Sequence, residues 1–192
     1  SIFACRNMNP QKEFQKGQKG FVLWFTGLVQ SGKSSVANEV YKQLKEAGYK
    51  VERLDGDIVR EHLWRDLGFS PEDKNENIKR AGFLAKILSR NGVSVIASFI
   101  SPYKVQRDGV RKEVENFIEV FCNCSLEVCE ARDKTGLYQK ARKGEIRFFT
   151  GISDPYEPPE NSEIELFTDK ESVQECAQEV LNYLKDNKYI NE

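Results

Sequence analysis

The chain holds a single histidine, His62, and its five cysteines, Cys5, Cys122, Cys124, Cys129 and Cys176, form no C-x-x-C pair. Too few nitrogen and sulfur donors stand at ligand spacing for a structural zinc site, so the thiols read as reduced and mostly buried. No apolar run approaches the roughly 18 residues of a spanning helix, and no charged segment leads into an apolar one at the start. A membrane-spanning or exported protein is set aside, and a cytoplasmic location is expected. An excess of charge of one sign is missing as well: 29 basic side chains face 30 acidic ones, for a net charge of -1. Such a surface has no bulk attraction for nucleic acid or anionic membrane, which points to a small ligand. Internal repeats and low-complexity blocks are also absent.

What remains is enough chain for one core. With 192 residues, 39% of them hydrophobic, the sequence supports a single well-buried domain, expected over 20–190. Residues 8–19 are polar and read as the rest of a flexible arm spanning 1–19. Residues 1–7, ahead of the only methionine, Met8, are expected to be an added remnant.

Short apolar runs at 21–26, 50–54, 93–98, 117–123 and 163–167 alternate with segments of helical period. That alternation predicts an α/β fold, a three-layer sandwich with a mostly parallel five-stranded sheet between helices. After the first run, Val36, Val40, Leu44 and Ala47 share a helical face and Gly48 sits where a left-handed C-terminal cap belongs. Ser70 reads as a helix cap with Pro71 at the first position and Asp73 closing a capping box, ahead of a stripe of Ile78, Ala81, Ala85 and Leu88 that ends at Gly92. A closing helix carries Val173, Cys176, Ala177, Val180, Leu181 and Leu184.

Between the first strand and its helix stands FTGLVQSGKSS, in which Gly27, Gly32, Lys33 and Ser34 match G-x-x-x-x-G-K-[ST], with Ser35 following. Glycine lets backbone N–H groups approach phosphate oxygens, the lysine adds a cation at the β and γ phosphates, and the serine hydroxyl suits Mg²⁺. Strand before and helix after make this a P-loop NTPase element that holds a nucleotide with Mg²⁺. The second strand ends in LDGD, which places Asp55 and Asp57 at the carboxyl edge of the sheet, where open α/β sheets bind ligands. Two such carboxylates can divide labour, one near the metal and one accepting a proton. No guanine-reading N-K-x-D is present, so transfer to a substrate is favoured over a hydrolytic switch. Over 134–159 the periodicity fails and glycine, proline, aromatics and the cations Lys140, Arg142, Lys143 and Arg147 accumulate, as in a mobile lid over phosphate.

Taken with LGFSPED, ENI, SFISPY, CEARD, GLY, ARKGEI, FTGI and DPYEPP in register from about residue 20 to 190, these motifs resemble the adenylyl-sulfate kinase family. The resemblance implies a phosphotransferase with an alcohol acceptor, moving the γ-phosphate of ATP to the 3′-hydroxyl of adenosine 5′-phosphosulfate (APS). It implies that Asp57 is the base, with Lys33 and Asp55 beside it in catalysis, and that Ser34 and Asp55 hold Mg²⁺. By the same resemblance Gly27, Gly32, Lys33, Ser34, Ser35 and Arg132 hold ATP, with Arg132 and the basic lid closing over it. Asp57, Arg60, Phe69, Lys74, Asn77, Ile100, Ser101, Phe148 and Phe149 hold the acceptor nucleotide, its base between Phe69 and Phe149. A homodimer follows by the same analogy. Four acceptor-side positions depart from the family's usual pattern: Ile58 for asparagine, Lys74 for arginine, Thr135 for lysine and Phe148 for glycine. Two alternatives therefore stay open: a kinase acting on the same hydroxyl of another nucleotide, such as cytidine diphosphoramidate in capsule biosynthesis, and a catalytically silent nucleotide-binding protein.

Overall fold

A computed structural model describes residues 20–191; the expected arm at 1–19, with Cys5 in it, lies outside the described residues. The strands are β1 (Val22–Thr26), β2 (Val51–Asp55), β3 (Ser94–Ser98), β4 (Phe117–Asn123) and β5 (Ile164–Phe167). The helices are α1 (Lys33–Glu46), α2 (Gly56–Leu63), α3 (Pro71–Arg90), α4 (Lys104–Glu113), α5 (Leu126–Arg132), α6 (Leu137–Arg142) and α7 (Val173–Asp186). The sheet runs β2-β3-β1-β4-β5, and its four pairings are all parallel.

Burial explains why the central strands are the most apolar. β1 and β3 are buried at every position and β4 at all but its last, because helices cover both faces of the sheet. Alternation along β1 divides the core in two. Leu23 and Phe25 join Val36, Val40 and Leu44 of α1 and Val180 and Leu184 of α7, whereas Val22 and Trp24 join Ile78 and Ala85 of α3 and Val110 of α4. Each such side chain contributes about 1.5–3 kcal/mol by leaving water. At the carboxyl edge, β1 and β3 are neighbours, and the chain leaves β1 toward β2 on one side but leaves β3 toward β4 on the other. That reversal opens the crevice in which such sheets hold ligands.

The sequence expectation needs three corrections. The Ser70 hydroxyl caps α3 by accepting the Asp73 N–H at 3.2 Å, but the Asp73 carboxylate accepts from the Gly68 N–H at 2.9 Å and closes the preceding turn instead of a capping box. The box that does form joins Ser172 and Glu175 at the start of α7. α2, α4, α5 and α6 were not anticipated, being too short or too polar to show an apolar stripe. Finally, 134–159 is not devoid of regular structure. It contains α6, its Tyr138 is buried with the hydroxyl donating to the Val29 carbonyl at 2.7 Å, and the Glu157 N–H donates to the Pro102 carbonyl at 2.8 Å. Among the described residues no helix is long and apolar enough to cross a membrane.

Candidate active site

The loop after β1 turns back on itself where a side chain would not fit. A Cβ on Gly27 would lie 2.7 Å from Ser31 Oγ and 2.9 Å from the Cys122 carbonyl oxygen, so glycine is required by crowding. Gly32 stands at the N-cap of α1 with φ 94°, a left-handed conformation that glycine adopts without strain. No side chain caps α1 among the described residues. The first N–H groups of this 14-residue helix therefore face the crevice as anion donors, reinforced by the helix dipole. Lys33 is buried, and its ammonium donates to the Leu28 carbonyl at 2.7 Å. Burial pulls the Lys33 ammonium below its ordinary value, with nearby thiols and Asp57 and Asp55 opposing.

Across from the loop, the two aspartates differ in every contact. Asp55 Oδ1 caps α2 by accepting the N–H groups of Asp57 at 3.1 Å and Ile58 at 3.4 Å. Its Oδ2 accepts from the Ser34 hydroxyl at 3.1 Å and from Arg53, whose guanidinium is itself fixed by Ser98 Oγ at 2.7 Å and the Ile96 carbonyl at 3.1 Å. The Ser34 hydroxyl and Asp55 carboxylate thus form a pair of hard oxygen donors, which suits Mg²⁺ when phosphate and water complete its shell. Among the described residues no cluster of three His, Cys, Asp or Glu is placed to hold a metal unaided. Asp57 is exposed, and its carboxylate has neither hydrogen bond nor ion pair among the described residues.

Both aspartates open on a cavity of about 710 Å³. Of the residues expected from sequence, Gly32, Lys33, Ser34, Ser35, Asp55, Asp57, Arg60, Phe69, Lys74, Asn77, Ile100, Ser101, Phe148 and Phe149 all line it. Gly27 and Arg132 do not. Gly27 lies behind the loop, and Arg132 braces it from outside, donating to the Gln30 carbonyl at 3.4 Å and the Thr168 carbonyl at 2.5 Å. Thr135, also outside the lining, donates its hydroxyl to Asp133 at 2.6 Å.

Several lining groups offer less, or something different, than their residue type suggests. The Trp64 indole can only donate and reaches Asn77 Oδ1 at 2.6 Å, which leaves the Asn77 amide hydrogens for a ligand. Ser101 is buried, its hydroxyl accepts from the Trp24 indole at 3.0 Å and donates to the Phe99 carbonyl at 3.0 Å, and its carbonyl accepts from Arg107 at 2.7 Å, so only its backbone N–H is left for a ligand. The Arg60 guanidinium lies 4.4 Å from the centroid of the Phe69 ring, a cation–π contact that holds this exposed ring upright at the rim. Phe149 packs edge-on against Tyr138 at 5.0 Å, and Phe148 adopts φ 54°, the left-handed region that disfavours a bulky side chain. Sequence reading gave no role to Arg53, Trp64, Tyr103, Tyr138 or Asp154, although the last three stand inside the motifs SFISPY, GLY and DPYEPP; each acts by holding another residue of the site in place.

The sequence model of the family described as adenylylsulphate kinase matches residues 19–167. An adenylyl-sulfate kinase of Halothermothrix orenii is 58% identical over 176 residues, covering 92% of this chain and 95% of that protein. One from Rippkaea orientalis is 52% identical over 173 residues, covering 90% and 96%. The structure of the Mycobacterium tuberculosis APS kinase CysC in complex with AMPPNP and APS superposes with a TM-score of 0.84 at 44% identity, covering 88% of this chain and 99% of that one.

Proposed function

We propose, from the premise that this chain belongs to the adenylylsulphate kinase family, that it transfers the γ-phosphoryl group of ATP to the 3′-hydroxyl of APS, giving 3′-phosphoadenosine 5′-phosphosulfate and ADP. The observation that carries the reading is the free Asp57 carboxylate beside the engaged Ser34–Asp55 pair, in one cavity that extends from the phosphate loop to Phe69 and Phe149. The relative whose structure holds AMPPNP together with APS supports two nucleotides sharing such a cavity.

The N–H groups of the loop and the Lys33 ammonium hold the β and γ phosphates, and Lys33 exchanges its Leu28 carbonyl for a phosphate oxygen. Ser34 and Asp55 would hold Mg²⁺, which would supply a hard positive charge to offset that of the phosphates. Asp57 accepts the proton of the 3′-hydroxyl as its oxygen bonds to the γ-phosphorus and the bond to the β-phosphate oxygen breaks. Arg53 keeps Asp55 turned to Ser34, so the two carboxylates keep separate tasks. Asn77 donates its amide to the acceptor, and Phe69 and Phe149 flank the base. A homodimer in the cytoplasm belongs to the same reading.

Side-by-side turnover with APS and with cytidine diphosphoramidate, each with ATP and Mg²⁺, tests this directly. APS should exceed the cytidine acceptor by at least about tenfold in kcat/KM, roughly the effect of one good polar contact. The reverse order would replace the acceptor while leaving the phosphate loop and base assignments standing, and no turnover with either would oppose the kinase reading itself.

A further inference from the structure

Four cations line the cavity: Lys33, Arg60, Lys74 and Arg147. Three of them are tied to the protein. Lys33 donates to the Leu28 carbonyl, and Arg60 Nη1 donates to the carbonyls of Leu67 at 2.9 Å and Gly68 at 2.8 Å. An ammonium has three hydrogens, and Lys74 places them on the Phe148 carbonyl at 2.6 Å, Thr150 Oγ1 at 3.2 Å and Asp154 Oδ2 at 2.6 Å. Its charge is also neutralised by Asp154, so Lys74 has little left for an anionic ligand. Arg147 is the one of the four whose side chain makes neither hydrogen bond nor ion pair among the described residues.

Its backbone, in contrast, is held on both sides. Ile146 packs into the cluster of Tyr138 and Phe149, the Phe148 carbonyl is taken by Lys74, and the Phe149 N–H donates to Ser153 Oγ at 2.9 Å. A free guanidinium on a fixed stretch of cavity wall is a pre-positioned fork for a tetrahedral anion. The phosphates of ATP already have the loop N–H groups and Lys33. The acceptor's anionic 5′ substituent has only part of the Arg60 fork.

We propose that Arg147 is a specificity-determining residue that receives the terminal anionic group of the acceptor's 5′ substituent, the sulfo group where that acceptor is APS. The inference rests on the reading above, in which this cavity holds a 5′-substituted nucleotide acceptor, and differs from the sequence expectation that the basic segment closes over ATP.

The test compares Arg147→Gln and Arg147→Lys with the unaltered enzyme, measuring kcat and KM for APS at saturating ATP and KM for ATP at saturating APS. Arg147→Gln should raise KM for APS about tenfold to a hundredfold, the range of a lost charge-assisted hydrogen bond, with kcat within about threefold and KM for ATP within about twofold. Arg147→Lys, which keeps charge but loses the fork, should recover part of the loss. Because the side chain is exposed and unpartnered, both variants should keep the thermal midpoint of the unaltered protein. An unchanged KM for APS overturns the proposal, and so does a loss that falls on KM for ATP, which would give the arginine to the γ-phosphate. Turnover of APS by the unaltered enzyme reports on the proposed function, whereas the ratio of variant to unaltered KM reports on Arg147; absence of the first would sink both.

Discussion

Lys74 Nζ lies 2.6 Å from Asp154 Oδ2, and both side chains are about nine-tenths buried. This pair fastens the start of α3 to the segment that carries Phe148 and Phe149, and the Tyr103 hydroxyl donates to the same carboxylate. Removing one partner leaves the other charge buried without compensation. Asp154→Ala should therefore cost roughly 3–5 kcal/mol in denaturant unfolding and expose 143–153 to protease. Without ligand, the unaltered protein should resist cleavage there. A loss below about 1 kcal/mol, or rapid cutting of the unaltered chain in this segment, would contradict the anchor.

Asp55 and Asp57 are two residues apart yet have opposite surroundings, one saturated with donors and one free. Asp57→Asn should lower kcat by about a hundredfold or more with KM for ATP unchanged. Asp55→Asn should raise the Mg²⁺ concentration needed for half-maximal turnover and also lower stability by about 1 kcal/mol, since the same carboxylate caps α2. Equal and mild losses in kcat from both variants would oppose the division of roles.

Phe148 sits at φ 54°, where a residue with a Cβ is strained by about 1 kcal/mol or more. Phe148→Gly relieves that strain, while the extra freedom of glycine in the unfolded chain offsets about 0.5–1 kcal/mol of the gain. Thermal unfolding should thus show stability unchanged or slightly raised, although the ring is lost from the cavity wall. A clear drop in the midpoint would mean that the ring's packing outweighs the backbone strain.

The loop, the LDGD turn and the sheet were legible because each rests on local chemistry: glycines where backbone crowds, aspartates at a strand end, and apolar runs where both faces are covered. Asn77 and Ser101 were legible as positions but not as chemistry. Which atoms they offer depends on Trp64 and Trp24, 13 and 77 residues away in sequence. Lys74 and Arg147 were both visible as cations, but only the fold reveals that Asp154 neutralises the first and that nothing among the described residues engages the second. α6 escaped notice because a six-residue helix with two buried side chains leaves no periodic stripe to read.

The destination of the phosphoryl group tests the central claim most directly. The enzyme is incubated with γ-labelled ATP, Mg²⁺ and APS, or with 2′-deoxy or 3′-deoxy APS, and the label is located in the products. The proposed transfer, with Asp57 as base, predicts label on the 3′-oxygen of APS and of its 2′-deoxy analogue, with the 3′-deoxy analogue inert. Label on the 2′-oxygen, or label found only in inorganic phosphate, would contradict it.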